Sequence, residues 1–307
     1  MNRILDFSNE AVSLRIARRQ LEITRRDGSL LTTPVEEIAV VILTHPSITL
    51  TKTVLQELAL AGAVLVVCDE KHLPTSMLAP LIGHHLASRI MREQASTSPT
   101  IARRAWKEIV RAKISGQAQI LKELQGHPGI LPRLAREVKT GDSSNLEAQA
   151  AHFYWQRLFG AQEFTRNPDS DDMLNIALNY GYAILRAITA RAITAAGLNP
   201  ALGIFHHNKY DSFCLADDLM EPLRPVVDRI VWQLLQDDAL STELTSSLKR
   251  QIITAVNQRY ILNGRQETIF EVSCRLAVSL ADLFGGREDH LCLPEKLPCP
   301  TEEMIET

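Results

Sequence analysis

The chain has 307 residues, of which 45% are hydrophobic and 22% charged, a composition that excludes a disordered or fibrous protein and is typical of a globular one. The 33 Lys and Arg residues against 36 Asp and Glu give a formal net charge of −3. Taken over the whole chain, that balance argues against a nucleic-acid-binding protein, because neutralising phosphates requires a basic surface.

Residues 1–76 have the two-residue periodicity of β-strands. Apolar and polar side chains alternate over 12–16, and Asp27–Gly28 is typical of a hairpin turn. Residues 38–43 form a continuous apolar run, which suits a strand covered on both faces. A short helix fits between Thr51 and Gly62. We therefore expect a small β-rich N-terminal domain.

The periodicity becomes helical after a segment with prolines and a glycine, which predicts a hinge over 77–88. From 89 to 286 apolar residues recur at helical spacing and predict an all-α domain. The tail, 287–307, contains three prolines and is expected to be mobile. The predicted fold class is α+β, with the small β-rich domain joined by the short hinge to a larger all-α C-terminal domain.

The sequence shows no sign of a membrane or secreted protein. Its longest apolar run, 58–68, is about half the length that a membrane span needs, and charges interrupt the N terminus before a signal segment forms. The five cysteines form no C-x-x-C pair, which favours reduced thiols over disulfides or a zinc site. We expect a cytoplasmic protein without a membrane partner.

Charge is unevenly distributed along the chain. Residues 86–139 contain eleven basic and four acidic side chains, a local charge of +7, whereas the rest of the chain sums to −10. Arg103, Lys107 and Arg111 are spaced by four residues, so they share one face of the predicted helix, opposite its apolar stripe. This face is either an ordinary solvated surface or a track for a phosphate backbone.

Three places in the helical region hold candidate ligands for a divalent cation. They are Glu147 near the start of an amphipathic helix, His206, and the pair Asp218 and Glu221, whose three-residue spacing points both carboxylates the same way. Carboxylates with one imidazole suit Mg²⁺ or Mn²⁺. By spacing alone, solvated side chains are the more common explanation of the same residues.

Two polar residues, Asn179 and Tyr180, lie within a long apolar helix that is predicted to end before Gly197. A buried Asn has to be hydrogen-bonded. Asn179 is therefore either a clamp between helices or a residue that shapes a site.

Four segments in combination resemble one family. They are T-R-N-P-D at 165–169, L-N-Y-G-Y-A-I-L at 178–185, L-G-I-F-H at 202–206 and L-A-D-D-L-M-E-P-L-R-P-V-V-D at 215–228. Together with the helix around Glu147, they resemble the CRISPR-associated integrase of spacer acquisition, the first and most widespread of the Cas proteins, in its type II branch. The likeness in layout extends over nearly the whole chain.

The resemblance implies a catalytic metal site. The family holds Mg²⁺ or Mn²⁺ with a Glu, a His and a second acidic residue, which correspond here to Glu147, His206 and Glu221. Asp218 is implied as a further acidic residue that either binds the metal or supports a ligand. His206 is preferred over its neighbour because the family His follows the glycine of L-G-x-x-H by three.

One position departs from the family pattern. The family often has K-I-x-N-Q in its first long helix, and Gly116 stands here at the position of the Asn. Any contact that the amide makes in the family is therefore absent from this chain. The residues of the metal motif are all present.

The resemblance also implies a function: a metal-dependent DNA endonuclease and integrase that joins the 3′-OH of a short DNA fragment to a CRISPR repeat. Implied partners are the duplex fragment, the repeat, a second copy of the chain through the β-rich domain, and a dimer of the second, small Cas protein that bridges two homodimers. The type II effector nuclease is a further candidate partner. The candidate DNA-binding residues are Arg103, Lys107, Arg111, Lys113, Asn179 and Tyr180.

Two alternatives remain open on the sequence. The first is a catalytically inert DNA-binding structural subunit, whose binding would weaken steeply with salt without a metal-dependent product. The second is a metal-dependent hydrolase of a small phosphoester, which would be indifferent to the basic helix face.

Overall fold

The expected α+β fold is confirmed: strands dominate up to residue 78 and helices from residue 87. The computed structural model describes residues 2–8, 10–69, 74–80, 84–160, 164–237, 239–240, 243–262, 265–294, 296–297 and 299–300. The strands of the first region are β1 (Arg3–Phe7), β2 (Val12–Ala17), β3 (Gln20–Arg25), β4 (Leu30–Pro34), β5 (Ile38–Leu43), β6 (Thr49–Leu50), β7 (Val64–Cys68) and β8 (Pro74–Leu78), with helix α1 (Lys52–Leu60) before β7.

These strands form two four-stranded sheets. One has the order β1-β5-β7-β8, with β8 antiparallel to its neighbour, and the other has the order β4-β3-β2-β6. The expected turn between β3 and β4 is present, and Gly28 has a φ of 82°, a backbone conformation that favours glycine. The central strand β5 is buried along its whole length, as its apolar run predicts.

The two faces of β5 belong to different cores. Val40 and Ile42 pack with the helices in the large core, whereas Val41 and Leu43 pack with the second sheet and α1 in a smaller one. The large core contains side chains of the first sheet and of the helices, so the β-rich region and the helical region pack on each other through apolar contacts. Residues 77–78 of the predicted hinge belong to β8, and 81–83 lie outside the described residues.

The second region is built mainly from helices. They are α2 (Ala87–Ala95), α3 (Pro99–Gln125), α4 (Leu131–Glu137), α5 (Leu146–Leu158), α6 (Met173–Ala195), α7 (Cys214–Met220), α8 (Arg224–Gln236), α9 (Ser246–Asn257) and α10 (Ile269–Phe284). A small sheet of β9 (Tyr260–Leu262), β10 (Arg265–Glu267) and β11 (Cys299–Pro300) interrupts them, so this region is not all-α. The sequence did not predict this sheet because strands of two or three residues are too short to show the alternation of apolar and polar side chains. Within the described part of the chain, no helix has the length and apolar character to cross a membrane.

Part of the segment that was expected to be mobile packs against α3. Leu291 and Leu297 are buried, and the Leu297 backbone N–H donates to Gln119 Oε1 at 2.8 Å. A Cβ at Gly116 would lie 3.0 Å from Leu297 Cγ, so the glycine at the family's Asn position provides room for this contact. Residues 301–307 lie outside the described residues.

We expect Gly116→Asn to lower the melting temperature and to speed proteolysis after residue 287, because overpacking costs about 1–3 kcal/mol. Ser115→Asn, which places the same side chain at the exposed neighbouring position, is the control and should change neither. Adding Leu297→Ala to Gly116→Asn should recover part of the loss. Equal melting temperatures of the two single variants would contradict the packing role of Gly116.

Candidate functional site

A buried ammonium group joins two of the predicted site residues. Lys113 Nζ on α3 lies 2.6 Å from Glu147 Oε1 on α5 and 2.5 Å from Glu221 Oε2, at the turn between α7 and α8. Burial lowers the pKa of Lys113, but the charges of Glu221 and Glu147 outweigh it and leave the pKa raised. Lys113 is therefore charged, and in this structure its ammonium group contacts the two carboxylates.

Glu221 is buried as a carboxylate between two cations. Arg224 Nε lies 2.8 Å from its Oε1, and Lys113 contacts its other oxygen. Burial raises the pKa of Glu221, whereas Arg224 and Lys113 lower it by more, and the net direction is down. The Oε2 atom has the Lys113 ion pair but no hydrogen bond of regular geometry. A buried carboxylate oxygen is thus directed at a cation.

Glu147 is placed by a cap that sequence reasoning missed. Asp142 accepts hydrogen bonds from the backbone N–H groups of Leu146 and Glu147, both at 2.9 Å, and so fixes the first turn of α5. Asn145, directly before the helix, has a φ of 50°, which Asn tolerates better than most residues. The sequence signal was present: an Asp four residues before an amphipathic helix.

Asp218 holds the loop that carries His206. Its carboxylate accepts the backbone N–H groups of Ile204 at 2.5 Å, Phe205 at 3.0 Å and His206 at 3.2 Å. The His206 ring contacts it through Nδ1 at 2.6 Å. Both Asp218 oxygens therefore make hydrogen bonds to this loop, and the carboxylate holds the His206 ring in place.

The same interaction determines the state of the His206 ring. The hydrogen bond to Asp218 raises the pKa of His206, although burial opposes it. With Nδ1 bound, Nε2 remains as the ring nitrogen for a ligand. Gly203 is required nearby, since a Cβ there would lie 2.3 Å from the His206 carbonyl oxygen. His207 is exposed and lines a separate cleft with Arg103 and Gly203.

His206 lies close enough to Glu221 to interact with it: the His206 charge helps to lower the pKa of Glu221, and Glu221 helps to raise that of His206. Among the described residues, however, no three His, Cys, Asp or Glu side chains stand together in the arrangement of a metal site. The Lys113 ammonium lies between Glu147 and Glu221, the two carboxylates that would be the first ligands of a metal ion.

The remaining predicted DNA contacts have different environments. Arg103 and Arg111 are exposed and Lys107 is half-buried on α3. Tyr180 is 3% exposed and donates to Asp6 Oδ2 at 2.7 Å, so it lies between the two regions of the fold.

Asn179 is a clamp between its helix and the preceding loop. Its Oδ1 accepts from Arg166 at 2.6 Å, and its Nδ2 donates to the Pro168 carbonyl at 2.8 Å. Both ends of the amide are therefore used within the fold. This outcome is the clamp alternative of the sequence analysis, although the partner is a loop instead of a second helix.

Comparison with known proteins gives a consistent result. A family model described as CRISPR associated protein Cas1 matches residues 7–260. A CRISPR-associated endonuclease Cas1 from Neisseria meningitidis serogroup C (strain 8013) is 38% identical over 288 residues, which cover 93% of each chain.

Solved structures agree with this chain in fold. A casposase bound to an integration product superposes with a TM-score of 0.77 at 19% identity, covering 94% of this chain and 92% of its own. A chain of a Cas6-RT-Cas1–Cas2 complex superposes with a TM-score of 0.75 at 18% identity, over 94% of this chain and 35% of that longer one. Because the family model spans most of the sequence and the relative matches end to end, the chain belongs to the Cas1 family of CRISPR-associated proteins.

Proposed function

We propose that this chain is a metal-dependent DNA integrase and endonuclease, which inserts short DNA fragments into a CRISPR repeat by attack of a fragment 3′-OH on a phosphodiester. The observation that carries the proposal is the convergence of Glu147 and Glu221 on one cation beside His206. The fold shared with a casposase bound to its integration product supports it.

The chemical types of the donors suit Mg²⁺ or Mn²⁺, although in this structure Lys113 lies between the two carboxylates. Glu147, Glu221 and Nε2 of His206 would hold the ion, since hard cations prefer carboxylate oxygens and a single imidazole is compatible with Mn²⁺. The buried Glu221 Oε2, which contacts a cation but makes no regular hydrogen bond, is the atom best suited to a metal. When bound, the ion would polarise the phosphodiester and stabilise the charge that develops on its oxygens.

The protein's own residues prepare the site for this chemistry. Lys113 and Arg224 keep Glu221 ionised despite its burial, so its carboxylate is ready to bind a cation. Lys113 also offsets the repulsion between Glu147 and Glu221, which would otherwise separate them. Asp218 orients the His206 ring through Nδ1 and leaves Nε2 as the ring nitrogen available to a ligand.

We also infer the assembly in which the site acts. The partners are a duplex fragment and a CRISPR repeat, a second copy of this chain, and a Cas2 dimer that bridges two such homodimers, with the type II effector nuclease as a further partner. Support for Cas2 comes from the fold shared with a chain of a Cas6-RT-Cas1–Cas2 complex. Support for DNA comes from the casposase with its integration product.

Glu147→Gln should reduce strand transfer by more than about a hundred-fold, because even outer partners of metal ligands contribute about 10–100-fold. The assay uses a fragment with a 3′-OH, a plasmid carrying a repeat, Mg²⁺ or Mn²⁺, and the small partner. Glu137→Gln, at an exposed carboxylate of α4, is the control and should transfer normally. Unchanged transfer by the Glu147 variant would refute the assignment, and DNA binding by wild type without any product would indicate the inert subunit.

Asp218→Asn should lower strand transfer by about 10–100-fold while the protein stays folded. The amide has a single acceptor oxygen for the backbone N–H groups of 204–206 and the His206 ring, so the loop should loosen. Amide hydrogen exchange should become faster over 203–207 and remain unchanged in α5. Full activity together with unaltered exchange would show that Asp218 does not position His206.

Reversing the charges of Arg103, Lys107 and Arg111 to Glu should weaken duplex binding and reduce its dependence on salt. For every phosphate that the variant no longer neutralises, the slope of log K against log salt should fall by about one. Lys52→Glu, on the exposed start of α1, is the matched control. An unchanged slope in the triple variant would favour the hydrolase of small phosphoesters over the integrase.

A further inference from the structure

An aromatic ring is held with one face open beside His206. Phe205 is 48% exposed, and its ring lies parallel to that of Trp106, with centroids 4.3 Å apart and an interplanar angle of 1°. Trp106 is only 1% exposed. Since one face of Phe205 covers this buried indole, the exposed area of Phe205 lies on its other side.

The Phe205 ring is fixed in place before any ligand binds. Its backbone N–H donates to Asp218 Oδ2 at 3.0 Å, and the N–H groups of Ile204 and His206 bind the same buried carboxylate. The Trp106 indole supports the ring from beneath. A platform that is already ordered loses little conformational freedom on binding, so most of its contact energy is retained.

Phe205 is also close to the proposed reaction centre. The His206 ring is nearly perpendicular to both aromatic rings, with centroids 5.6 Å from Phe205 and 5.8 Å from Trp106. On α3, Arg103 lines a cleft together with Gly203 and His207 of the same loop. An open aromatic face, a basic side chain and the candidate ligand His206 therefore occur around one loop.

The exposure of aromatic residues favours a role for this loop beyond packing. Among the described residues, the exposed large hydrophobic side chains are mostly aliphatic, and the two aromatic ones, Phe205 and Tyr210, both follow Gly203 on this loop. Covering Trp106 alone would require only an aliphatic side chain. A planar ring on a planar ring leaves a flat outer surface, which suits another planar group.

We propose that Phe205 is a stacking platform for an unpaired nucleobase in the single-stranded 3′ end of the DNA fragment, next to the nucleotide that carries the attacking hydroxyl. The inference rests on the proposed integrase function and adds a binding residue to its site. Every base has a π-face, so stacking tolerates any sequence and contributes about ten-fold or more in affinity. It would also direct the terminal nucleotide toward His206.

The test compares Phe205→Leu, which keeps an apolar cover over Trp106, with Phe205→Tyr, which keeps the aromatic face. Binding is measured for a blunt duplex and for a duplex with a short single-stranded 3′ overhang containing 2-aminopurine near its end. With the overhang we expect Phe205→Leu to bind about ten-fold more weakly and to lose the quenching of 2-aminopurine fluorescence. Blunt duplex binding should be unchanged, and Phe205→Tyr should resemble wild type in every measurement.

An abasic nucleotide in place of the stacked base is the reciprocal control. It should weaken wild-type binding to the level of Phe205→Leu and leave the variant unaffected. Quenching that persists in Phe205→Leu, or an equal loss for blunt and overhang duplexes, would overturn the proposal. Because these measurements need no product, a wild type that stacks the base but transfers no strand would contradict the integrase function and leave the platform in place.

Discussion

The ion pairs of Lys113 are the interaction on which the site depends. This one ammonium group contacts carboxylates from α5 and from the turn after α7, and it projects from α3. Without a cation, the buried Glu221 and the partly buried Glu147 would repel each other, and Glu221 would lack a partner for its charge. A positive charge between them, whether an ammonium or a metal ion, therefore stabilises the convergence of three helical elements at this point.

A second buried charge, Asp218, organises the neighbouring loop in the same way. Here the compensation comes from backbone N–H groups and an imidazole instead of a cation. Because a loop has few internal hydrogen bonds of its own, a buried carboxylate that accepts several of them determines its conformation. Asp218 contacts the backbone of both Phe205 and His206, so its removal should impair the proposed metal binding and the proposed base stacking together.

The distribution of acidic residues makes the net charge of −3 compatible with the proposed binding of DNA. Glu221, Asp218 and Asp228 are buried, and the first two are paired with cations or hydrogen-bond donors. An approaching polyanion therefore interacts more strongly with the exposed Arg103 and Arg111 than with these buried carboxylates. A net charge summed over the whole chain counts buried and exposed side chains equally. The exposed charges, however, contribute most to the attraction between a protein and DNA.

Sequence patterns were sufficient for the fold class and for the doubly covered strand β5. Periodicity and local motifs carry that information, because they depend on neighbours within a few residues. The set Glu147, His206 and Glu221 was implied by the family resemblance and stays a prediction. The roles of Lys113, Asp142 and Tyr180 became visible only in the folded chain. Whether a lysine faces solvent or two carboxylates depends on elements 34 residues away or more. The packing of Leu297 on Gly116 and of Phe205 on Trp106 was hidden for the same reason: both contacts join residues far apart in the chain, and no local pattern records them.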